Sequence, residues 1–165
     1  MDLTEPETLA RQIAGVLTAR RETVAVAESS AGGLISAALL AVPGASRFYL
    51  GGQVVYTARA LNVLRPGGLG EVKDQGMRSS SEPYAAWLAG LAQSSYRADW
   101  GLSETGAAGP DGNPYGDPPG HSCVGLAGPM VGTRTIRTGS GDRAANMVAF
   151  AVAGLTLLRD ALENA

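Results

Sequence analysis

The sequence has little of what polar catalysis usually uses. Its 165 residues include one histidine, His121, one cysteine, Cys123, and one lysine, Lys73. A single cysteine excludes an intrachain disulfide framework and a cysteine-based zinc site. It also suits a reducing compartment, so a cytoplasmic location is expected. One histidine and no clustered acid–histidine pattern give no metal site, and no cofactor is expected. Charge of one sign is also missing. Thirteen Lys and Arg stand against 15 Asp and Glu, for a net charge of −2 and no basic run. Nucleic acid is therefore excluded as a partner, since phosphates need clustered cations. Aromatics are only 5% of the chain although apolar residues make up 45%. The apolar surface is mostly Ala, Val and Leu, which suits helices packed closely on a sheet. The run "NMVAFAVAGLTLL" is too short to cross a bilayer and suits a buried helix, so no membrane association is expected. The amino-terminal "MDLTEPETLARQIAG" is acidic and amphipathic, unlike a signal peptide.

Glycine is abundant, with 23 residues, and it punctuates an alternating pattern. Thr4 and Pro6-Glu7 start a helix whose face carries Leu9, Ile13, Val16 and Leu17. Residues 23–27 read as a buried strand and 31–41 as a helix ended by Pro43-Gly44. "RFYLGGQVVYT" is a second strand, followed by a short helix through Leu64 that "RPGG" closes. Ser81-Glu82-Pro83 starts another helix, running to about Tyr96. "ADWGLSE" is a third strand. "GAAGPDGNPYGDPPG" is too rich in Gly and Pro for regular structure. "HSCVGLA" and "TRTIRT" form an antiparallel pair joined by "GPMVG". A final helix of roughly twenty residues follows Gly141-Asp142. The length fits one domain over 1–165. The alternation predicts an α/β fold, a three-layer α/β/α sandwich with a mixed, mainly parallel sheet containing one antiparallel strand.

Right-handed crossovers put the strand ends after residues 27, 56 and 103 on one edge. Open α/β sheets bind ligands at that edge. The clusters "ESSAGG", "YTAR" and "ETGAAGP" all fall there. Ser29 has two readings. It can be an exposed nucleophile backed by helix amides, or Ser29 or Ser30 can merely cap the next helix. Glu28 reads as a structural hydrogen-bonding residue. Tyr56 can be a half-buried strand residue, Thr105 a turn support, and Arg143 a solvated helix residue.

The stretches "AESSAGG", "VPGASRFYLGGQVVYT", "ETGAAGPDG" and "GDR" resemble, in that order, the carboxy-terminal domain of the CinA family of competence/damage-inducible proteins. The resemblance runs from about Leu9 to Leu158. Single-domain members of that family are similar to nicotinamide mononucleotide deamidases. The resemblance implies hydrolysis of a nicotinamide nucleotide to nicotinate mononucleotide and ammonia, with a pyridine nucleotide as the small-molecule partner. It also makes a homo-oligomer the expected assembly. The serine of the family stretch A-E-S-C-T-G-G falls on Ser29, and the tyrosine ending its second strand falls on Tyr56. The threonine of T-G-I-A-G-P falls on Thr105, and the arginine of G-D-R falls on Arg143, where a guanidinium could grip phosphate. These imply Ser29, Tyr56 and Thr105 as catalytic. Gly32, Gly33, Gly106, Gly109 and Arg143 are implied as substrate-binding.

The departures are specific. Ser30 and Ala31 stand where the family stretch has Cys and Thr. Pro118 stands where a lysine precedes the last proline of the loop. Leu61 stands where the family has a lysine, five residues after the tyrosine, and leucine cannot accept a proton. Losing a general base commonly costs about 10²–10⁴ in rate. Leu61 is expected to face the Ser29 pocket as an apolar patch. Arg59 stays protonated, and Lys73 is set apart by a glycine-rich turn. His121 is the better replacement base, with a solvated loop histidine as the other reading. Cys123 reads as core. Two functions remain open: a weakened or altered amidohydrolase, and a nucleotide-binding or structural homologue without catalysis. A dinucleotide-binding fold is disfavoured, because "ESSAGG" lacks the first glycine of that fingerprint.

Overall fold

The computed structural model describes residues 1–165. Helix α1 (Thr4–Arg20) leads into strand β1 (Val24–Glu28), helix α2 (Leu34–Leu40), a 3-10 turn and strand β2 (Tyr49–Val54). Helices α3 (Ala58–Leu64), α4 (Gly68–Asp74) and α5 (Glu82–Tyr96) precede strand β3 (Trp100–Ala107). Strands β4 (His121–Ala127) and β5 (Gly132–Arg137) and helix α6 (Arg143–Asn164) complete the chain. The sheet order is β2-β1-β3-β4-β5. Strand β1 pairs in parallel with β2 and β3, and β4 pairs antiparallel with β3 and β5. Only β4 is reversed, so strand direction is mainly parallel, while the pairings divide evenly between the two kinds.

Side-chain alternation divides the apolar residues between two layers. Val24 and Val26 of β1 join the larger core with Ile13, Leu17, Ile35, Phe150 and Leu155 from α1, α2 and α6. Ala25 and Ala27 face the other way, onto Leu61, Val72, Tyr84 and Leu88 from α3, α4 and α5. The sandwich therefore has α1, α2 and α6 on one face and α3, α4 and α5 on the other. Helix α6 is long and apolar enough to cross a bilayer by length and composition, but Phe150, Leu155, Leu158 and Leu162 pack into the larger core.

Strand β2 ends at Val54, so Tyr56 is an exposed residue beyond it and not a half-buried strand residue, and β3 runs on to Ala107, into the stretch expected to be irregular. Two helices also depart from expectation. Helix α2 starts at Leu34 rather than at residue 31, because Gly32 and Gly33 hold positive φ (69° and 99°) and cannot continue a right-handed helix. Helix α4 forms from a glycine-rich stretch that reads as a break. Gly67, at φ 83°, reverses the chain, and Val72 buries against the α5 face.

Candidate functional site

The amides that open α2 are already occupied. Glu28 is fully buried at the end of β1. Its carboxylate accepts from the amides of Gly33 (2.9 Å), Ile35 (3.1 Å) and Ser36 (3.0 Å) and from the Ser36 hydroxyl (2.7 Å). Glu28 is thus the side chain that satisfies the start of α2. Neither Ser29 nor Ser30 caps it, and the amides expected to back Ser29 are not free.

A second buried carboxylate holds the preceding turn. Glu104 of β3 accepts from the Ser29 amide (3.1 Å) and the Ala31 amide (2.8 Å) on Oε2. On Oε1 it accepts from the hydroxyls of Ser30 (2.8 Å) and Ser122 (2.7 Å). Burial pushes the Glu104 carboxyl above its ordinary range, and the four donors pull it back. The Gly32 amide donates to the Ser29 carbonyl. Among residues 29–33, only the Ser30 amide donates to nothing. The Ser29 hydroxyl has no partner within the chain either, and Ser29 is half-buried.

Tyr56 lies two residues past β2, and Gly109 lies two residues past β3, with φ at 107°. Arg143, the first residue of α6, brings them together. Its Nη2 donates to the Tyr56 hydroxyl (2.9 Å) and its Nη1 to the Gly109 carbonyl (2.6 Å). The guanidinium also stands 6.0 Å from the Tyr56 ring centroid. Asn146, one turn along α6 and buried, donates to the Ala108 carbonyl (2.8 Å) and the Ser140 carbonyl (2.7 Å). The loop after β3 is therefore pinned to α6 at two neighbouring carbonyls. Because β1, β2 and β3 run the same way, Ser29, Tyr56, Gly109 and Arg143 all fall at the carboxyl edge of the sheet.

Thr105 and Gly106 are placed differently. By register Thr105 is level with Ser29, since Ala27 pairs with Ser103. Its buried hydroxyl accepts from the Ser80 amide (3.0 Å), on the α5 side of the sheet. A side chain at Gly106 would meet the His121 carbonyl and Ser122, so its glycine is accounted for by the close approach of β4. Gly32 is exposed and Gly33 half-buried in the turn after Ser29. Two surface concavities of about 330 and 430 Å³ lie elsewhere, around Arg65 and Trp87 and around Arg11 and Arg47.

Comparison with known proteins now decides the family. The model of the CinA C-terminal domain matches residues 6–162. The chain belongs to the CinA family. A CinA-like protein of Desulforapulum autotrophicum is 32% identical over 153 residues, covering 92% of this chain and 36% of its own length. One from an Anaeromyxobacter species is 39% identical over 158 residues, covering 94% and 38%. The chain thus spans a little over a third of the length of these relatives. Among solved structures, the competence/damage inducible protein CihA from Agrobacterium tumefaciens is similar at a TM-score of 0.86 and 30% identity, over 99% of both chains. A CinA superfamily protein from Klebsiella pneumoniae shares the fold at a TM-score of 0.83 and 24% identity, over 97% of this chain and 99% of its own.

Two expectations about the base of this CinA domain are corrected. Leu61 is 3% exposed and sits in the α5-side core with Ala27, Val55 and Val72, so it forms no apolar patch open to Ser29. His121 is neither a solvated loop residue nor a neighbour of Ser29. It is 4% exposed at the start of β4, and Nε2 lies 2.9 Å from the Ser80 carbonyl. Ser122, the next residue, points to Glu104 on the opposite face, so the imidazole is on the α5 side with Cys123. Its Nδ1 is buried without a partner. Asp117 stands 3.7 Å from Nε2, and the Arg78 guanidinium holds its carboxyl below the usual range. Glu104 and Asn146 are the polar residues that reading the sequence missed. Glu104 stands between Ser103 and Thr105 in a strand and Asn146 between Ala145 and Met147 in a helix, and an acid in a central strand and an amide in an apolar helix run were the only signals available.

Proposed function

We propose that this chain is a nicotinamide-nucleotide amidohydrolase that converts nicotinamide mononucleotide and water to nicotinate mononucleotide and ammonia. The reading is carried by Ser29, whose hydroxyl is unpaired beside the unpaired Ser30 amide, at the same sheet edge as Arg143. Membership of the CinA family supports it. Ser29 Oγ attacks the carboxamide carbon, and the carbonyl oxygen becomes an oxyanion. The Ser30 amide is the donor available to that charge. The amide nitrogen takes a proton from solvent, and collapse then breaks the carbon–nitrogen bond and releases ammonia. Water then hydrolyses the ester on Ser29 and restores the hydroxyl. Arg143 uses two of its five N–H donors on Tyr56 and Gly109, which leaves three for a phosphate. Tyr56 orients the guanidinium.

No lysine, histidine or carboxylate side chain is hydrogen-bonded to the Ser29 hydroxyl, so its proton passes to solvent. Turnover slower by about 10²–10⁴ than with a positioned base is expected. The same observation favours a second reading, nucleotide binding without catalysis, because Leu61 and His121 are both committed to the α5-side core.

Calorimetric titration with nicotinamide mononucleotide and with its riboside, which lacks the phosphate, tests the site. Tighter binding of the nucleotide by at least about tenfold supports it. Equal binding of the two, or none, rejects the Arg143 phosphate contact.

A further inference from the structure

The turn that presents Ser29 lies between two buried carboxylates. Glu28 and Glu104 together take the amides of residues 29, 31, 33, 35 and 36. They leave one amide, that of Ser30, beside the one hydroxyl, that of Ser29, that binds nothing. Packing alone does not call for an acid at position 104. Leu102, on the same face of β3, is core, and an apolar residue is often as stable as a buried charge. A fully buried carboxyl with four donors is costly to build; the donors to Glu28 open α2, whereas three of the four to Glu104 come from residues 29–31, the turn that carries Ser29.

We propose that Glu104 is the positioning residue of the Ser29 turn: it draws the Ser29 and Ala31 amides and the Ser30 hydroxyl inward, and so leaves the Ser29 hydroxyl and the Ser30 amide as the turn's unpaired groups. This rests on the reading of Ser29 as nucleophile, but the hold on the turn is measurable without it. Glu104 acts through backbone, so it touches no substrate. Ser122 gives the network a second arrangement, because its hydroxyl also lies 3.2 Å from the Thr105 carbonyl. Should Glu104 carry a proton, Oε1 can donate to Ser122, which then donates to Thr105, while Oε2 still accepts both amides. The turn keeps its shape in either protonation state.

The test compares the wild-type chain with Glu104→Gln, which retains an acceptor for the two amides, and Glu104→Leu, which retains none. Amide hydrogen exchange in the wild type should show Ser29 and Ala31 protected, and Ser30 exchanging at least about tenfold faster. In Glu104→Leu that protection should be lost. Its kcat on nicotinamide mononucleotide should fall about 10²-fold with KM unchanged, because Arg143 and Tyr56 sit on other elements. Glu104→Gln should recover most of kcat. Labelling of Ser29 by a fluorophosphonate should follow kcat. Should Glu104→Leu fail to fold, the wild-type exchange pattern and the kinetics of Glu104→Gln decide. Protection at Ser29 and Ala31 without turnover or labelling in the wild type defeats the nucleophile reading but upholds the hold on the turn. Exchange at Ser29 and Ala31 as fast as at Ser30, or a folded Glu104→Leu with wild-type kcat and labelling, overturns the proposal.

Discussion

The Arg143 guanidinium donates to the Tyr56 hydroxyl at 2.9 Å, across 87 residues of sequence. It joins the start of the last helix to the end of the edge strand. The contact gives the sheet edge a cation held by two oxygens but not neutralised by an acid. Tyr56→Phe removes one of those oxygens. The nucleotide should then bind about 2–10-fold more weakly, the range of one ordinary hydrogen bond, and its riboside should bind as before. Arg143→Ala should weaken nucleotide binding more than Tyr56→Phe. Calorimetry of the two variants measures both. Loss of riboside binding in Tyr56→Phe would place Tyr56 on the ring rather than on the guanidinium.

Leu61→Lys would carry an ammonium into the α5-side core, where Ala27, Val55 and Val72 offer no acceptor side chain. The variant should lose more than about 2 kcal/mol of stability, and turnover should not increase. Thermal melts and an amidase assay check this together. A folded variant with faster turnover would put residue 61 back at the base position.

Glu104 and Asp117 should tilt stability in opposite directions with pH. Burial holds the folded pKa of Glu104 above its ordinary 4.5. As pH rises past 4.5, the unfolded chain gives up that proton while the folded chain keeps it, so Glu104's contribution to stability falls until the folded group ionises. Arg78 holds Asp117 below its ordinary 3.8, so the stability Asp117 adds is present above that value and is lost as pH falls below it. In Glu104→Gln the first slope disappears. The melting temperature of the variant, relative to wild type, should be higher at pH 7 than at pH 4. A difference that stays constant across that range would contradict the raised pKa.

The sheet was legible because its strands carry local signals. "TVAVA", "HSCVGLA" and "TRTIRT" are β-branched or apolar runs bounded by turn residues, and the crossovers between parallel strands have one hand. The start of α2 was misread because the apolar run hides the backbone need of Gly32 and Gly33. Helix α4 was missed because glycine at a helix entrance looks like glycine in a loop. Tyr56 and Arg143 could be placed from strand ends and the helix start alone. Glu104 could not, because its partners lie about 75 residues back in β1's turn and 18 ahead in β4. His121 could not either: its strand starts where the sequence places it, but the side of the sheet its ring takes, against the Ser80 carbonyl, is set by contacts 41 residues back. Long-range pairing set both, and periodicity carries no information about it.

The most direct test of the account is ammonia release from nicotinamide mononucleotide by the wild-type chain and by Ser29→Ala, with binding of the nucleotide followed in parallel. The wild type should release ammonia slowly, matched one to one by nicotinate mononucleotide. A folded Ser29→Ala should still bind the nucleotide and release none. Release undiminished in Ser29→Ala, or a wild-type chain that neither binds nor hydrolyses the nucleotide, would contradict it.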